Sequence, residues 1–356
     1  MKNILITLLL FSTSVNAQQG YLGFQSEGNL HDMLQPTVGV LILTYAAGTW
    51  ESNQTVEASL FYDSSTSNVR LYYTGSSDSS APSFNNRIGE STSSDMVTFT
   101  KSGFNPLIGQ GHGGAPSGRR AHSSHVFKVG GTYYCLATNG YGYNYSGEDR
   151  NIYGYESSDG INWVDQGLKV NKSTAWSGGA LSGFGNMCVV TDPHNNPQII
   201  NGKYVAIIEV ADASAGWAMY KATADSLMGA WTLTNKLTSL QVVSGAMYGG
   251  PCAIYTKGVY HVFYHYGSIS GNIPTWLAYA ASTDGINWTI KEAPFMRIET
   301  SPFTNTDQIA DPFITEIGGK TYMVAEYVQN QPTYYGELRL WSYAGTFDQM
   351  IKNESQ

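Results

Sequence analysis

Basic runs, long apolar stretches, metal-spaced cysteines and helical periodicity are all missing from this chain of 356 residues. Lys and Arg number 19 against 27 Asp and Glu, a formal net charge of −8, and no run of Lys or Arg offsets that balance. A nucleic-acid partner is therefore not expected. The three cysteines, Cys135, Cys188 and Cys252, are odd in number and too far apart to form a ligand set. Each sits in an apolar, strand-like run, so buried free thiols are expected, with no metal and no cofactor. The N-terminal apolar run, Ile4–Phe11, falls far short of the ~20 residues that span a bilayer, so no membrane anchor is expected. Lys2 precedes this run and Val15-Asn16-Ala17 follows it, the pattern of a cleavable signal peptide over residues 1–17. Secretion or periplasmic location is the corresponding expectation.

What is abundant is glycine (39), tyrosine (25) and tryptophan (8), a composition of turns and strands. Two nearly identical strings, Ser-Asp-Gly-Ile-Asn-Trp at 158–163 and Thr-Asp-Gly-Ile-Asn-Trp at 283–288, mark a repeat. Weaker copies surround Asp95, Asp225 and Gly345, which places the anchors 64, 66, 59 and 61 residues apart. A hairpin turn precedes each anchor, near Asn68, Gly131, Gly202, Gly258 and Gly319. Five units of about sixty residues with several short strands each predict an all-β fold, a five-bladed β-propeller over residues 18–356 as a single domain. In the Asp-Gly turns the carboxylate is expected to accept local N–H groups and the Trp to pack between sheets. The last unit runs out before a fourth strand, and Val38–Tyr45 is the stretch expected to supply it and close the ring.

The starts of the inner strands should surround a common funnel. Aligned on the hairpin turns, Glu57, Ser123, Pro251 and Asp311 fall at nearly equivalent positions, with Asp192 close by in the third unit. Seven residues after the turn glycine come Glu209, His265 and Glu326, with Thr138 in the second unit. Acids converging from several blades make Asp311, Asp192, Glu57, Glu209 and Glu326 the candidate catalytic residues. The second unit carries Gly118–His125, in which Arg119, Arg120, His122 and His125 form a basic cluster suited to an acidic sugar or to proton transfer. Trp176 and Tyr248 on adjoining Gly-rich loops, together with His265, complete the expected substrate-binding set.

Ala310–Glu326, with Ala-Asp-Pro-Phe followed by Gly-Lys-Thr-Tyr, resembles a strand pair of the five-bladed propeller glycoside hydrolases. That broad group contains families 43, 32, 62, 68, 117 and 130. Gly249–Tyr260 resembles the group's Glu-Gly-Pro strand, except that Gly249 stands where the acid Glu is expected. The resemblance implies a secreted arabinofuranosidase- or xylosidase-like hydrolase of plant or algal glycans, with an oligo- or polysaccharide substrate. It further implies Asp192 as base, Asp311 as helper, and Glu57, in Glu-Ala-Ser, as a replacement acid. Two other readings are a carbohydrate-binding propeller without catalysis and a sialidase-like enzyme, which would need six blades.

Overall fold

The computed structural model describes residues 30–77, 85–140, 150–178, 181–212, 216–243, 246–267, 275–296, 308–329 and 335–353. The signal peptide expected at 1–17 lies outside them. One helical turn, α1 (Leu30–Met33), leads into β1 (Gln35–Leu43). Blade I contains β2 (Gln54–Asp63), β3 (Asn68–Ser76), β4 (Arg87–Ser93) and β5 (Thr100–Lys101). Blade II contains β6 (Arg120–Val129), β7 (Thr132–Gly140), β8 (Asn151–Ser157) and β9 (Trp163–Val170). Blade III contains β10 (Leu181–Val189), the two-residue β11 (Ile199–Ile200), β12 (Lys203–Asp212), β13 (Gly216–Ala224) and β14 (Thr232–Lys236). Blade IV contains β15 (Met247–Thr256), β16 (Val259–Gly267), β17 (Trp276–Ser282) and β18 (Thr289–Met296). Blade V contains β19 (Gln308–Ile317), β20 (Lys320–Gln329) and β21 (Tyr335–Tyr343), after which α2 (Phe347–Asn353) ends the described chain.

Each blade is an antiparallel meander. The first strands close a ring: β2 touches β6, β6 touches β10, β10 touches β15, β15 touches β19 and β19 touches β2. Blade V lacks a fourth strand of its own, and β1 supplies it by pairing antiparallel with β21, Leu43 opposite Leu338. The N-terminal segment expected to close the ring does so, three residues ahead of the predicted span. A single parallel bridge, Gln54 to Gly336, joins blades V and I.

The local sequence explains the hairpins. At Gly130-Gly131, Asn201-Gly202, Lys257-Gly258 and Gly318-Gly319, both central residues have positive φ. That is the mirror-image turn whose twist matches the flanking strands. The Asp-Gly repeats behave as local clasps. Oδ1 of Asp159 accepts the N–H groups of Ile161 and Asn162 at 2.8 and 2.7 Å, and Asp284 repeats this with Ile286 and Asn287. These donors hold the Asp284 carboxyl below the usual carboxylate range. Trp163 donates its indole N–H to the Gly160 carbonyl and meets the Tyr72 ring of blade I edge-on at 5.9 Å.

Apolar side chains are buried between neighbouring sheets. One cluster joins parts of blades II, III and IV, another parts of IV, V and I, and a third lies between I and II. The three cysteines are free and buried within these layers, as expected. Between blades I and II the core includes an ionic knot. Buried Asp63 accepts Arg70 Nε at 2.9 Å, Lys128 Nζ at 2.8 Å and the Tyr133 hydroxyl. Arg70 Nη1 also reaches Glu90 at 2.6 Å.

Burial opposes ionisation of Asp63, yet Lys128, Tyr133 and Ser65 together hold its carboxyl well below the usual range. A folded-state value below the unfolded one gives stability that is complete above the unfolded value and is lost as pH falls. Asp63→Asn should lower unfolding free energy at pH 7 by about 3–5 kcal/mol, the cost of stranding buried partners. In denaturant titrations the difference between variant and parent should shrink as pH drops towards 3.

Candidate active site

Every inner strand breaks its ladder at the same level. The bulges fall at Glu57-Ala58, Ser123-Ser124, Gly185-Asn186, Gly250-Pro251 and Asp311-Pro312. Glu57, Ser123, Gly250 and Asp311 open four of them in the left-handed region, with φ of 50, 53, 58 and 48°. A bulge with a left-handed first residue re-aims side chains and frees backbone N–H groups. In blade IV the equivalent residue is therefore Gly250, one position before the expected Pro251. The spacing of eight to the second turn glycine, shared by Ser123–Gly131 and Asp311–Gly319, selects it.

Above the bulges lies a cavity of about 280 Å³. Glu57, Glu209, Asp311 and Glu326 line it, with His122, His265 and Arg120. These are the candidates that the structure brings together. The freed backbone groups hold the acids. Ser123 N–H donates to Glu57 Oε2 at 2.8 Å, and Glu57 N–H to Glu326 Oε2 at 3.2 Å. The N–H groups of Asn186 and Gly250 both reach Glu209 Oε2 at 3.2 Å. Asp311 Oδ1 accepts the Asn186 side-chain amide at 2.7 Å and stands 3.0 Å from His265 Nδ1.

The environments separate the carboxyls. Burial alone would raise Glu57, but the hydrogen bond and charge of His122, with Thr74 and Ser123, hold it down at about 2. Glu209 is raised, chiefly by burial, with the Asp311 charge adding and His265 opposing. Burial and the charges of Asp311 and Glu57 push Glu326 well up, where it shares a hydrogen bond with Asp311. His265 is raised, because Asp311 and Glu209 outweigh its own desolvation.

The glycine at 249 has a steric reason. A Cβ there would lie 2.5 Å from Glu209 Oε1, and a Cβ at Gly185 would lie 2.7 Å from Oε2. Glu209 of blade III thus occupies the space beside β15 into which a side chain at 249 would project.

Several expected residues lie elsewhere. Asp192 is outside the cavity, in the insertion between β10 and β11, where its carboxylate closes a turn on His194 and Asn196. Its neighbour Pro193 accepts Glu316 N–H at 2.6 Å, near the far end of β19. That is five residues, or ~16 Å, along the strand from Asp311. The longer hairpin of blade III carries Asp192 to the opposite end of the ring. Arg119 turns between β8 and β9, paired with Asp165 and stacked 4.1 Å over Tyr153. His125 lies beneath the bulge. Its Nδ1 accepts Val189 N–H, its Nε2 faces Asn195, and burial lowers it to about 4. Trp176 packs edge-on against Tyr220, 5.1 Å away, and Tyr248 is buried in the core of blades II–IV, so neither lines the cavity.

The sequence reading missed Asn186, Arg150 and Trp217, which also line the cavity. Asn186 is the second residue of the third-blade bulge, and its signal was present in the Gly-Phe-Gly-Asn run ahead of an apolar strand. Arg150 and Trp217 flank strand starts and carried no pattern of their own.

No protein-family model and no curated protein sequence matches the chain. Solved structures do. A glycosyl hydrolase from Bacteroides ovatus matches with a TM-score of 0.63 at 16% identity, over 88% of this chain and 96% of that one. A second structure comes from work on family 130, described as mannoside phosphorylases that include glycoside hydrolases targeting β-1,2 mannosidic linkages in Candida mannan. It matches with a TM-score of 0.62 at 17% identity, over 88% and 94%. A family 117 glycoside hydrolase of the marine bacterium Zobellia galactanivorans matches with a TM-score of 0.57 at 15% identity, over 87% and 90%. The chain has the fold of the propeller glycoside hydrolases.

The fit between Gly249 and Glu209 can be checked directly. In Gly249→Ala the new methyl should drive the Glu209 carboxyl towards the open cavity. Carboxyl ¹³C titration should then show Glu209 ionising at lower pH than in the parent, with about 1–3 kcal/mol of stability lost to crowding.

Proposed function

We propose that the protein is a glycoside hydrolase whose acid is Glu209 and whose ionised partner is Glu57. One observation carries this reading: two carboxyls face one cavity in environments that push them in opposite directions, Glu57 towards the anion and Glu209 towards the protonated acid. Divergent environments around paired carboxyls are how acid and base roles are divided at one pH. Glycosidic cleavage requires that division, one carboxyl protonating the leaving oxygen and an ionised one acting on the other side of the sugar.

The blades supply the arrangement. Glu57 and Glu209 enter from blades I and III with blade II between them, so a sugar at the cavity floor would lie across the gap. Both hydrogen bonds to Glu209 end on Oε2, which leaves Oε1 to carry the proton to the glycosidic oxygen. Asp311 keeps that proton in place through its charge and is itself fixed by Asn186 and His265. This reading moves the acid role from Glu57 to Glu209, because the donors around Glu57 favour its anion. It also leaves the base role without Asp192, which does not reach the cavity. The neighbours' printed activities support a glycan substrate for this chain, and the leader-like residues 1–17 support export. An arabinofuranoside or xyloside substrate remains part of the proposal on the strength of the sequence resemblance.

The test is turnover of a panel of arabinans, xylans, mannans and agaro-oligosaccharides. Glu209→Gln should lower kcat by about 10²–10⁴-fold with the fold intact. Binding without turnover by the parent protein would instead favour a non-catalytic glycan receptor. The pH profile has a definite sign. Glu209 must be protonated and its carboxyl is raised, so kcat/KM should fall as pH rises through that raised value. Glu57 is ionised from about pH 2 upwards, so the acid side of the profile should stay flat across the mildly acidic range. Substrates with a good leaving group, which need no proton, should lose the alkaline limb.

A further inference from the structure

We propose that Glu326 is a positioning residue: it keeps its proton through turnover, donates it to Asp311, and accepts the backbone N–H of Glu57. The inference deepens the hydrolase reading and rests on the roles given there to Glu57, Glu209 and Asp311.

Of the four acids that line the cavity, Glu326 alone has no task in that reading. It is buried on β20, where Ala310 of β19 pairs with it. The bulge that opens at the next residue brings Asp311 against Glu326, and the two carboxyls share a hydrogen bond. Such a bond forms only when one of the two carries a proton. Asp311 has other donors, the Asn186 amide at 2.7 Å and His265 Nδ1 at 3.0 Å. Glu326 has the Glu57 N–H at 3.2 Å, and among the described residues no Lys, Arg or His nitrogen forms an ion pair with it. The charged groups that face it are the carboxylates of Asp311 and Glu57. Burial acts in the same direction as their charge, so the proton belongs on Glu326.

A proton held in this way is a hydrogen-bond donor and not a reagent. With it Glu326 grips Asp311, whose charge keeps the proton on Glu209. Through Oε2 it also grips the left-handed backbone from which Glu57 projects. Both contacts go to residues that serve the two working carboxyls. A displacement of this one side chain therefore moves both, and misplacing a reacting group by about 1 Å costs on the order of 10²-fold in rate.

Three substitutions separate a clamp from a proton-transfer acid. Glutamine has the length of Glu326, donates to Asp311 through its amide and accepts Glu57 N–H through its carbonyl. Aspartate keeps an ionisable carboxyl but withdraws it by one methylene. Methionine keeps the volume and removes both bonds. On any glycan the parent turns over, Glu326→Gln should retain kcat/KM within about threefold, whereas Glu326→Asp and Glu326→Met should lose about 10–100-fold. The opposite order, with Asp active and Gln inactive, would mark Glu326 as a proton-transfer group and overturn the proposal. Equal losses in all three variants, or no loss in any, would overturn it as well.

Carboxyl ¹³C spectra of the full chain supply a readout without turnover. In the parent, Glu326 should still show the shift of a protonated acid at a pH where Glu57 is ionised. The Glu57 amide should exchange with solvent faster in Glu326→Met than in Glu326→Gln. A carboxylate signal for Glu326 at that pH, or equal exchange in the two variants, would sink the clamp. A protein that turns over no glycan yet gives both spectral results would lose the hydrolase reading and keep the clamp. Turnover that is lost in Glu209→Gln, together with an ionised Glu326, would do the reverse.

Discussion

The acids in this propeller can face one another because the backbone beneath them leaves the regular strand. Glu57, Ser123 and Asp311 adopt left-handed φ values that L side chains ordinarily avoid, at a cost on the order of 1–2 kcal/mol each. Part of that cost is offset by what the bulge releases. Ser123 of blade II donates its N–H to Glu57 of blade I, Glu57 donates to Glu326 of blade V, and Gly250 of blade IV donates to Glu209 of blade III. In each case the bulge of one blade serves the acid of the blade before it in the ring. The same hydrogen bonds that satisfy the kinked backbone therefore position the carboxyls.

The distribution of apolar residues makes this possible. Each sheet buries its faces against the next, so the core is divided among the inter-blade layers and the axis is left free for polar groups. Closure holds the arrangement together. β1 completes blade V, and the knot of Asp63, Arg70 and Lys128 ties blade I to blade II. A ring open at either seam would lose the spacing between Glu57 and its neighbours.

Glycine at 249 and glutamate at 209 are two halves of one structural choice. In the order of the chain, Gly249 reads as the loss of an acid from its strand. In space, it is the room that Glu209 needs. The acid stands in the same corner of the cavity and arrives from the adjacent blade. Gly250 does the same for Asp311 and His265, since any side chain there would collide with both.

The repeat of Asp-Gly turns, the five hairpins and the borrowed N-terminal strand were legible from residue order alone, because each depends on contacts within one unit or on the shortage of a strand. So was the ring of Glu209, His265 and Glu326, since a two-residue turn sets the register of the strand that follows it. Asp192 was misplaced because the insertion of blade III breaks that register, and residues counted from a turn no longer report a height along the axis. Arg119 and Arg120 are adjacent and chemically alike, yet alternation along a strand sends one to Asp165 and the other to the cavity. Which of two neighbours faces inward depends on the bulge. The ionisation of Glu57 and Glu209 depends on donors from other blades, and only the closed ring brings those together.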